Sequence, residues 1–515
     1  MKKEINIKLI PRTASNIELY KKEIAKKLKI AVEDIVEIEV LKRSIDARKK
    51  SVQILMRANV WYDGEKPEKK EIEFKPQNVE NKEAVVIVGS GPAGLFAALK
   101  LIEQGLKPII LERGNAVTER KRDVAKINRN EPINSESNYC FGEGGAGTFS
   151  DGKLYTRSKK RGNTKYVLDI LELHGADQNI LTDAHPHIGT NNLPRIVVAI
   201  RETILQAGGE VHFNTKVTDF IIENNKIKGI ITEKGDKILG KSVILATGHS
   251  ARDIYYLLDK KEIKIESKPF AMGVRIEHPQ NLIDSAQYSC KVRSEYLPAA
   301  SYNLVSQVRG RGVYSFCMCP GGFIVPAATG ENEIVVNGMS PSRRDSLYAN
   351  SGIVVEIKPQ DFHNKKEYGE LAGLKYQEYL ENHAYKRGGN GLVAPAQRVT
   401  DFINSKHSSS LPKTSYQPGL VSSPLHQWLP NDISRRLQTA FKSFDTKLHG
   451  FNTNEAIILG VESRTSSPVR IPRDKDSLQH VQIENLYPCG EGAGYAGGIV
   501  SAAIDGIRCA EKIAN

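Results

Sequence analysis

Residues 89–94 have the types and spacing of a loop that binds a pyrophosphate. Gly89 permits a tight turn, Gly91 lets the ligand approach the backbone, and Gly94 allows the next helix to pack closely on the preceding strand. Free amides at the helix start attract negative charge. We therefore predict a dinucleotide site built on Gly89, Ser90, Gly91, Pro92, Ala93 and Gly94.

The elements around this loop have the order that such a site needs. Residues 84–88 form a short β-branched run typical of a buried parallel strand, and residues 95–104 have the pattern of a helix. A second strand over residues 108–111 ends in Glu112. A carboxylate there accepts hydrogen bonds from the hydroxyls of an adenosine ribose. The site is therefore predicted to bind a dinucleotide.

A second glycine-rich segment lies near the end of the chain, at residues 486–499. A strand ends at Gly490 and Glu491, and a helix is predicted from Gly498 onward. Glu491 can bind a ribityl hydroxyl, and the helix amides can stabilise negative charge on a reduced flavin. A nicotinamide-binding fold needs no such element, so we predict that the dinucleotide is FAD.

Two further segments are candidates for cofactor contact. The strand over residues 242–245 ends in Ala246, Thr247 and Gly248, whose small size leaves room beside the sheet. Residues 141–155 satisfy the glycine spacing again, but no buried strand precedes them, so a second dinucleotide fold is rejected. A glycine-rich loop with small hydroxyls suits close passage beside a flat ring.

The catalytic residues are less well specified than the cofactor site. His187 is a candidate for substrate contact or proton transfer, against a loop histidine bonded to backbone; no metal site is predicted, because no Cys or acid completes a set with His185. The arginines of four short segments together suggest an anionic substrate: Arg275, Arg398, Arg464 and Arg470. Cys317 and Cys319 form either a redox pair or two buried thiols on a strand.

Composition bounds the class of protein and its partners. The 515 residues carry 73 Lys and Arg against 60 Asp and Glu, a net charge of +13. The basic residues are mixed with acids, which favours a solvated surface over a nucleic-acid surface. Six cysteines in so long a chain do not make a disulfide framework. With no secretory signal and no membrane span expected, we predict a cytoplasmic protein with a small-molecule substrate and no membrane partner.

The predicted fold class is α/β, with a Rossmann-like FAD-binding domain, an inserted mixed antiparallel-sheet cap domain and a small N-terminal α/β module. We assign residues 1–80 to the module, 81–250 and 451–515 to the FAD-binding domain, and 251–450 to the substrate or cap domain. The densest basic cluster of the module is an RNA-binding patch, a docking surface or a solubilising turn; it comprises Lys42, Arg43, Arg48, Lys49 and Lys50.

The motifs GSGPAG, ATG and GEGAGYAGG resemble the FAD-contacting motifs of glutathione-reductase-type flavoproteins. GEGGAGTFSDGKL, PHIGT, GVRIEHP, FCMCPGG, APAQRV and ESRTSSPVRI resemble, more narrowly, the bacterial FAD-dependent dehydrogenase family. Glu491 stands where many relatives carry Asp. Beyond the phosphate loop, the resemblance implies cofactor contacts at Glu112, Arg113, Thr148, Ser150, Lys153, Val217 (through its backbone), Ala246, Thr247, Gly248, Gly490, Glu491, Gly497, Gly498 and Ile499.

These observations predict an FAD-dependent oxidoreductase that transfers a hydride between its substrate and flavin N5, the flavin carrying the redox chemistry. NAD(P)H, if it is the transient electron donor, enters the same cleft, because no second βαβ nucleotide site is present. His187, Arg275 and Arg464 are the candidate catalytic residues. The alternatives are a flavoprotein that acts on RNA and a non-catalytic FAD-binding scaffold or sensor. The sequence does not specify the oligomeric state.

Overall fold

The computed structural model describes residues 1–49, 51–67, 72–156, 162–362 and 365–514. The N-terminal module is an antiparallel sheet of order β1-β3-β2 with two helices. Ile24, Met56, Ala58 and Val60 form its buried core. Lys50 of the basic cluster lies outside the described residues. The elements are β1 (Lys2–Leu9), α1 (Pro11–Ala14), α2 (Ile17–Leu28), β2 (Ile35–Asp46) and β3 (Gln53–Tyr62).

A five-stranded parallel sheet forms the centre of the nucleotide-binding unit. Its strands have the order β22 (Leu486–Pro488), β10 (Ser242–Leu245), β4, β5, β6. Its central strand β4 is buried, as the apolar run predicted. No helix in the part of the chain that the structure describes has the length and apolar character needed to cross a membrane. The first elements are β4 (Ala84–Val88), α3 (Pro92–Glu103), β5 (Lys107–Leu111), α4 (Val117–Asn128), α5 (Thr164–Leu173), α6 (Leu193–Gln206) and β6 (Glu210–His212).

An antiparallel meander of three strands follows β6. Asn224 and Asn225 both have positive φ, 50° and 59°, as a two-residue turn between β7 and β8 requires. The chain then returns to the parallel sheet through β10. The elements are β7 (Val217–Glu223), β8 (Lys226–Thr232), β9 (Lys237–Leu239), β10 (Ser242–Leu245) and α7 (Arg252–Lys260).

The second large sheet has seven strands in the order β13-β14-β17-β12-β20-β18-β19. All its pairs are antiparallel except β18–β19, so the sheet is mixed, as predicted. β15 and β16 form a separate hairpin. The strands are β11 (Glu266–Ser267), β12 (Phe270–Pro279), β13 (Val305–Val308), β14 (Arg311–Cys319), β15 (Phe323–Pro326), β16 (Val336–Met339), β17 (Tyr348–Ile357), β18 (Ala394–Arg398), β19 (Leu420–Ser422), β20 (Ile457–Glu462), β21 (Val469–Arg470) and β22 (Leu486–Pro488).

The helices around this sheet pack an extensive core against it. Phe402, Phe441, Phe444 and Phe451 are fully buried there. The helices are α8 (Gln280–Tyr288), α9 (Lys365–Tyr368), α10 (Ala372–Arg387), α11 (Val399–Ile403), α12 (Leu425–Trp428), α13 (Asn431–Lys447) and, after β22, α14 (Ile499–Ala514).

Strand β20 corrects the boundary expected at residue 450. Residues 457–462 were predicted to belong to the nucleotide-binding unit, but all six are buried inside the second sheet. They pair with β12 on one side and β18 on the other. Because a central strand cannot leave its sheet without breaking both ladders, this segment belongs structurally to the cap.

Candidate functional site

The phosphate loop has the geometry that its glycines require. Gly89 has a φ of +105°, and a β-carbon there would stand 2.5 Å from the Ala246 carbonyl oxygen. A β-carbon on Gly94 would stand 2.0 Å from the Gly89 oxygen. Helix α3 begins at Pro92 directly after Gly91, so its first amides face the loop. Neither close approach admits a side chain.

The glycine-rich segment 142–152 packs against this loop. The amide of Gly144 donates to the Ser90 carbonyl at 3.0 Å. A β-carbon on Gly147 would contact the side chains of Pro92 at 3.3 Å and Ile499 at 3.5 Å. One short segment therefore lies between the first residues of α3 and those of α14, which brings two helix N-termini to the same place.

Glycines border open space at this convergence. A β-carbon built on Gly248, Gly497 or Gly498 would meet no atom of the described residues within 4 Å. Gly248 follows β10, and Gly497 and Gly498 precede α14. Helix N-termini that face a glycine-lined space from two sides fit an extended ligand with a phosphate in the middle and an electron-accepting ring at one end.

Glu112 has a structural role that the sequence did not predict. One carboxylate oxygen accepts from the Ser90 amide at 3.0 Å and from its hydroxyl at 2.8 Å. The other accepts from the amides of Gly114 and Gly142, at 3.0 and 2.9 Å. Since a carboxylate offers about four acceptor positions, Glu112 is fully engaged in joining the phosphate loop to the second glycine-rich segment. Ribose binding by Glu112 stays a prediction.

Arg113 lies beside a cleft of about 370 Å³ at the edge of the nucleotide unit. Its guanidinium donates to Glu136 at 2.7 Å and to Asp253 at 2.9 Å, and lies 4.2 Å from the centre of the Phe141 ring. Ser250, two residues after Gly248, lines this cleft. The lining of the cleft includes Arg113, Phe141, Ser250, Asp253, Thr329 and Glu333. Val217, predicted to meet adenine, is the buried first residue of β7.

The three residues predicted near the flavin ring have separate local roles. The Thr148 hydroxyl donates to the Glu143 carbonyl at 2.8 Å, and the Ser150 hydroxyl donates to the Gly147 carbonyl at 2.7 Å. Lys153 extends across to the cap, where its Nζ lies 3.8 Å from Cys319 Sγ. Ser150 also lines a small enclosed cavity between the two units, together with Phe149, His249, Asn337, Gly338, Glu462 and Arg464.

Glu491 and the residues after β10 follow two neighbouring strands of the parallel sheet, β22 and β10. The Ala246 amide donates to the Val88 carbonyl at 2.9 Å, so Thr247 and Gly248 leave the sheet beside the phosphate loop. Glu491 is partly exposed, and its carboxylate lies 3.7 Å from His249 Nδ1. The Gly490 amide donates to Asp505 at 2.8 Å. Glu491 thus keeps an open carboxylate at the mouth of the glycine-lined space.

Arg275 is a structural arginine. Its side chain is completely buried, and all five N–H donors have acceptors in the cap. Nη1 bonds Glu462 at 2.9 Å, and Nη2 bonds the Cys317 carbonyl at 2.8 Å. The remaining contacts are Nε to Asn350, Nη1 to Asn337 and Nη2 to Cys319 Sγ. No donor is left for a substrate, because the cap uses this cation to join four of its segments.

Arg464 is saturated in the same way. It donates to both Glu381 oxygens, to Glu333 at 2.8 Å and to Thr329 at 2.7 Å, with Ser250 at 3.5 Å. Arg252 adds a second cation, 2.8 Å from Glu381. Burial raises the pKa of Glu381, but the two guanidinium groups outweigh burial and leave the pKa well below its ordinary value. Neither of the two buried arginines, Arg275 and Arg464, is therefore available to bind an anionic substrate.

His187 lies outside the convergence of the helices, on the loop that pairs with Lys153. Its Nε2 is 3.1 Å from the Ser342 carbonyl, beside the ion pair of Asp151 and Arg344 at 2.7 Å. Burial, together with the charge of Arg344, lowers its pKa, which keeps the ring neutral at pH 7. The contact with the Ser342 carbonyl agrees with the alternative interpretation of His187 as a loop histidine bonded to backbone.

Arg120 is a site residue that sequence reasoning missed. It is fully buried and donates to four carbonyls, those of residues 138, 139, 142 and 143. A β-carbon on Gly142 would stand 2.4 Å from its Cδ. Arg120 thereby fixes the segment that covers the phosphate loop. Its position in the charged stretch TERKRD gives no signal that distinguishes it from the exposed cations beside it.

The ligand atoms of Cys489, Asp505 and Cys509 come within 4.8 Å of one another, a grouping that the sequence did not predict. Arg473 donates to Asp505 at 2.6 Å and lies 3.6 Å from Cys509 Sγ. Two of the three candidate ligands, Asp505 and Cys509, therefore already have the Arg473 guanidinium as a partner.

Four families of known domains match stretches of the chain, two of which overlap at residues 269–287. A family described as FAD-dependent protein, C-terminal domain-like, matches residues 269–465, and an FAD binding domain matches residues 82–130. Residues 200–287 match the glucose inhibited division protein A family, and residues 1–61 match a domain of unknown function.

An uncharacterized protein of Clostridium beijerinckii is 43% identical over 517 residues, which span 97% of this chain and 96% of that protein. The chain belongs to the same family as this protein, a family of FAD-dependent proteins. A thiamine thiazole synthase of Aeropyrum pernix is 25% identical over 147 residues, 28% of this chain and 42% of that enzyme. Glycine oxidase from Bacillus cereus shares 13% identity, with a TM-score of 0.35 over 84% of this chain and 95% of that structure.

The residues present fit the cofactor of this family. Two helix N-termini face a glycine-lined space, and Glu491 is available at its mouth. Family membership and this geometry agree that the chain is an FAD-binding flavoprotein.

Proposed function

We propose that this flavoprotein is an enzyme that transfers a hydride between a small-molecule substrate and N5 of its FAD, which it holds in the manner of glutathione-reductase-type flavoproteins. The observation that carries this proposal is the position of Gly147 between Pro92 and Ile499, which joins the starts of α3 and α14. One FAD can then have its pyrophosphate at α3 and its isoalloxazine ring at α14.

The start of α14 suits a ring that becomes negatively charged on reduction. Gly497 and Gly498 leave the backbone open to the ligand, and the first amides of α14 follow directly. The partial positive charge of a helix N-terminus favours an anion within the first turn. The flavin supplies the redox chemistry, while the chain supplies position and charge.

The cap provides the opposite wall of the site. The small cavity between the units is bounded by Asn337, Gly338 and Glu462 from the cap and by Phe149 and Ser150 from the glycine-rich segment. Burial raises the pKa of Glu462, although Arg275 opposes this shift. Lys153 of the glycine-rich segment extends to the cap near Cys319 with a side chain that is 37% accessible, and we assign to it the contact with an anionic group of the substrate.

We propose NAD(P)H as the electron donor. It binds transiently at the flavin, between the nucleotide-binding unit and the cap. Within the described residues there is one parallel sheet, with one phosphate loop at its centre. A reduced nicotinamide must therefore reach the flavin through the cleft under the cap.

The test is anaerobic mixing of the FAD-loaded protein with NADH, NADPH and a panel of small metabolites, followed by flavin absorbance. Loss of the yellow colour with one of these donors, on a timescale of seconds, supports the proposal. If dithionite alone reduces the flavin, the protein is a non-catalytic scaffold and the proposed function is wrong. A protein that stays colourless after incubation with FAD would refute the cofactor assignment.

A further inference from the structure

A buried carboxylate of the cap lines the small enclosed cavity between the two units. Glu462 is the last residue of β20 and is only 2% exposed, yet its side chain forms part of the wall of this cavity of about 40 Å³. Its Oε2 accepts a hydrogen bond from Arg275 Nη1 at 2.9 Å. Its Oε1 has no hydrogen-bond donor among the described residues. One oxygen of the carboxylate is therefore left for a group that enters the cavity.

Arg275 holds the Glu462 carboxylate in one position. The guanidinium is fully buried and has further acceptors on three other strands of the cap, at Asn337, Asn350 and the Cys317 carbonyl. A buried ion pair is a poor source of stability, because apolar residues of similar size often serve a fold as well. A buried carboxylate that keeps one oxygen unpaired at a cavity is better explained by chemistry than by stability.

The cavity adjoins the position proposed for the flavin ring. Phe149 lines it, two positions after Gly147, which packs against Ile499 at the start of α14. His249 lines it as well, and its Nδ1 lies 3.7 Å from the Glu491 carboxylate at the mouth of the glycine-lined space. Two separate segments of the nucleotide-binding unit therefore connect this cavity with the cofactor space.

The rest of the wall favours a small group with a hydrogen-bond donor. Its apolar members include Phe149, Val325, Ala327, Val335 and Val336. The volume admits a group of a few heavy atoms, judged by the space that a water molecule needs. Arg464, which also lines the cavity, already donates to acidic and hydroxyl partners and offers no cation to an anion. A hydroxyl or amino group that donates to Glu462 Oε1 fits this wall.

The charges around Glu462 suit uptake and release of a proton. Burial raises its pKa, and the charges of Arg275 and Lys153 oppose this shift without cancelling it. Lys153 is thus close enough to act on Glu462, so one substrate can place an anionic group at Lys153 and its reacting group in the cavity. The other ionisable groups in the wall are Tyr139, Cys140, His249 and Arg464.

We propose that Glu462 is the catalytic residue that exchanges a proton with the substrate, and that the substrate is an alcohol or an amine at the carbon that exchanges the hydride. In the oxidation direction the C–H electrons leave with the hydride of the proposed function. The O–H or N–H bond breaks at the same carbon, its proton goes to Oε1, and a C=O or C=N bond forms. In the reverse direction the Glu462 carboxyl returns this proton to the oxygen or nitrogen.

This inference rests on the proposed function for the hydride and adds to it the proton acceptor and the class of substrate. Infrared difference spectroscopy of the full-length, FAD-loaded protein tests the proton site without a substrate. The flavin is reduced by light with EDTA, and the reduced-minus-oxidised spectrum shows which carboxyl groups take up a proton. Negative charge on a reduced ring raises the pKa of a carboxyl beside it, so we expect a carbonyl band from protonated Glu462.

The variants assign this band to one residue. It should be absent in Glu462→Gln and shifted in Glu462→Asp, which keeps a carboxyl. Glu277→Gln is the matched control, because Glu277 is another buried carboxyl of the cap whose pKa burial raises, and the band should persist there unchanged. Absence of a redox-linked carboxyl band in the wild type overturns the assignment, even where a variant fails to fold. A band that persists in Glu462→Gln overturns it as well.

Anaerobic bleaching of the flavin tests the class of substrate. The compounds are small 2-hydroxy acids, 2-amino acids, and the alcohols and amines that lack the carboxylate. We expect the hydroxy or the amino series to bleach the flavin, which distinguishes alcohol from amine. Glu462→Gln should slow the bleaching at least about a hundredfold, the usual contribution of general acid–base catalysis, and Glu462→Asp should restore part of the rate.

The outcomes separate this inference from the proposed function. If NADH or NADPH bleaches the flavin but none of these compounds does, the class of substrate is wrong and the proposed function stands. If the Glu462 band appears but no donor and no compound bleaches the flavin, the proton site stands, while the class of substrate and the proposed function both fail.

Discussion

Gly506 of α14 packs directly against the Ala93 carbonyl of α3, since a β-carbon on Gly506 would stand 2.0 Å from that oxygen. The two helices cross here at backbone contact. The first turn of α3 and the start of α14 are held together by this crossing, and both ends of the FAD site depend on it.

We expect Gly506→Ala to weaken FAD binding although alanine is the better helix former. The added methyl group meets backbone, which cannot move aside as a side chain would, and overpacking of this kind costs about 1–3 kcal/mol. The FAD content of the purified protein and its thermal midpoint measure the effect. Lys512→Ala, an exposed position on the same helix, should change neither. Full FAD content in Gly506→Ala would show that the crossing does not position the cofactor.

Glu112→Gln should disorganise the phosphate loop. The amide retains one acceptor oxygen and turns an NH₂ group toward two of the four donors that the carboxylate now satisfies. Each buried donor left unpaired costs about 1–3 kcal/mol, so FAD affinity should fall by about a hundredfold or more. Equilibrium titration with FAD measures this loss. The exposed Glu233→Gln is the control, and equal affinities in the two variants would contradict the role given to Glu112.

Glu381→Gln should destabilise the cap because it removes the buried partner of Arg252 and Arg464. Breaking one side of a buried ion pair costs about 3–5 kcal/mol, whereas Glu378→Gln, at a partly exposed pair on the same helix, should cost about 1 kcal/mol or less. Denaturant unfolding at neutral pH compares the two variants. Similar losses would show that the network contributes no more than a surface pair.

The ion pairs of Glu381 with Arg252 and Arg464 should make the stability of the protein depend on pH. The pKa of Glu381 is lower in the folded protein than in the unfolded chain, so its contribution is complete above the ordinary carboxyl pKa of about 4.3. As the pH falls below that value toward the folded-state pKa, the unfolded chain binds a proton first and the contribution is lost. The stability difference between wild type and Glu381→Gln should therefore shrink below about pH 4. If the stability difference instead grows as the pH falls, the pKa of Glu381 is raised in the folded protein and not lowered.

The N-terminal module docks on the loop that leads to His187. The Arg43 amide donates to the Thr182 carbonyl at 2.8 Å, and the Arg43 carbonyl accepts from the Ala184 amide at 2.9 Å. Arg43→Pro should remove the first bond, worth about 0.5–1.5 kcal/mol, and increase amide hydrogen exchange over residues 182–187. Arg43→Ala keeps the backbone donor and is the matched control. Equal exchange in the two variants would show that the side chain, not the backbone pairing, holds the module.

Local patterns in the sequence specified the nucleotide-binding unit. The strand, loop and helix from Ala84 to Glu103 and the helix near Ile499 were predicted because short-range sterics and periodicity fix them. Strand β20 was missed, since a buried central strand lacks the alternation that marks a half-exposed one.

The burial and the hydrogen-bond partners of the arginines could be determined only from the tertiary structure. The sequence showed Arg275 and Arg464 near small polar residues but not the acceptors that surround them, which come from segments up to 214 positions away. Arg120, by contrast, looked like one more surface cation and proved to be fully buried. Burial and partner choice depend on contacts across the chain, and residue type alone does not encode them.

The sequence by itself determined that a dinucleotide binds at the loop after β4 and that FAD suits the glycines before α14, because only glycine permits these turns and approaches. The tertiary structure alone decided that Glu112 organises the loop and that the two buried arginines hold the cap together. Those outcomes depend on which distant groups share a low-dielectric interior, where every donor and charge must find a partner.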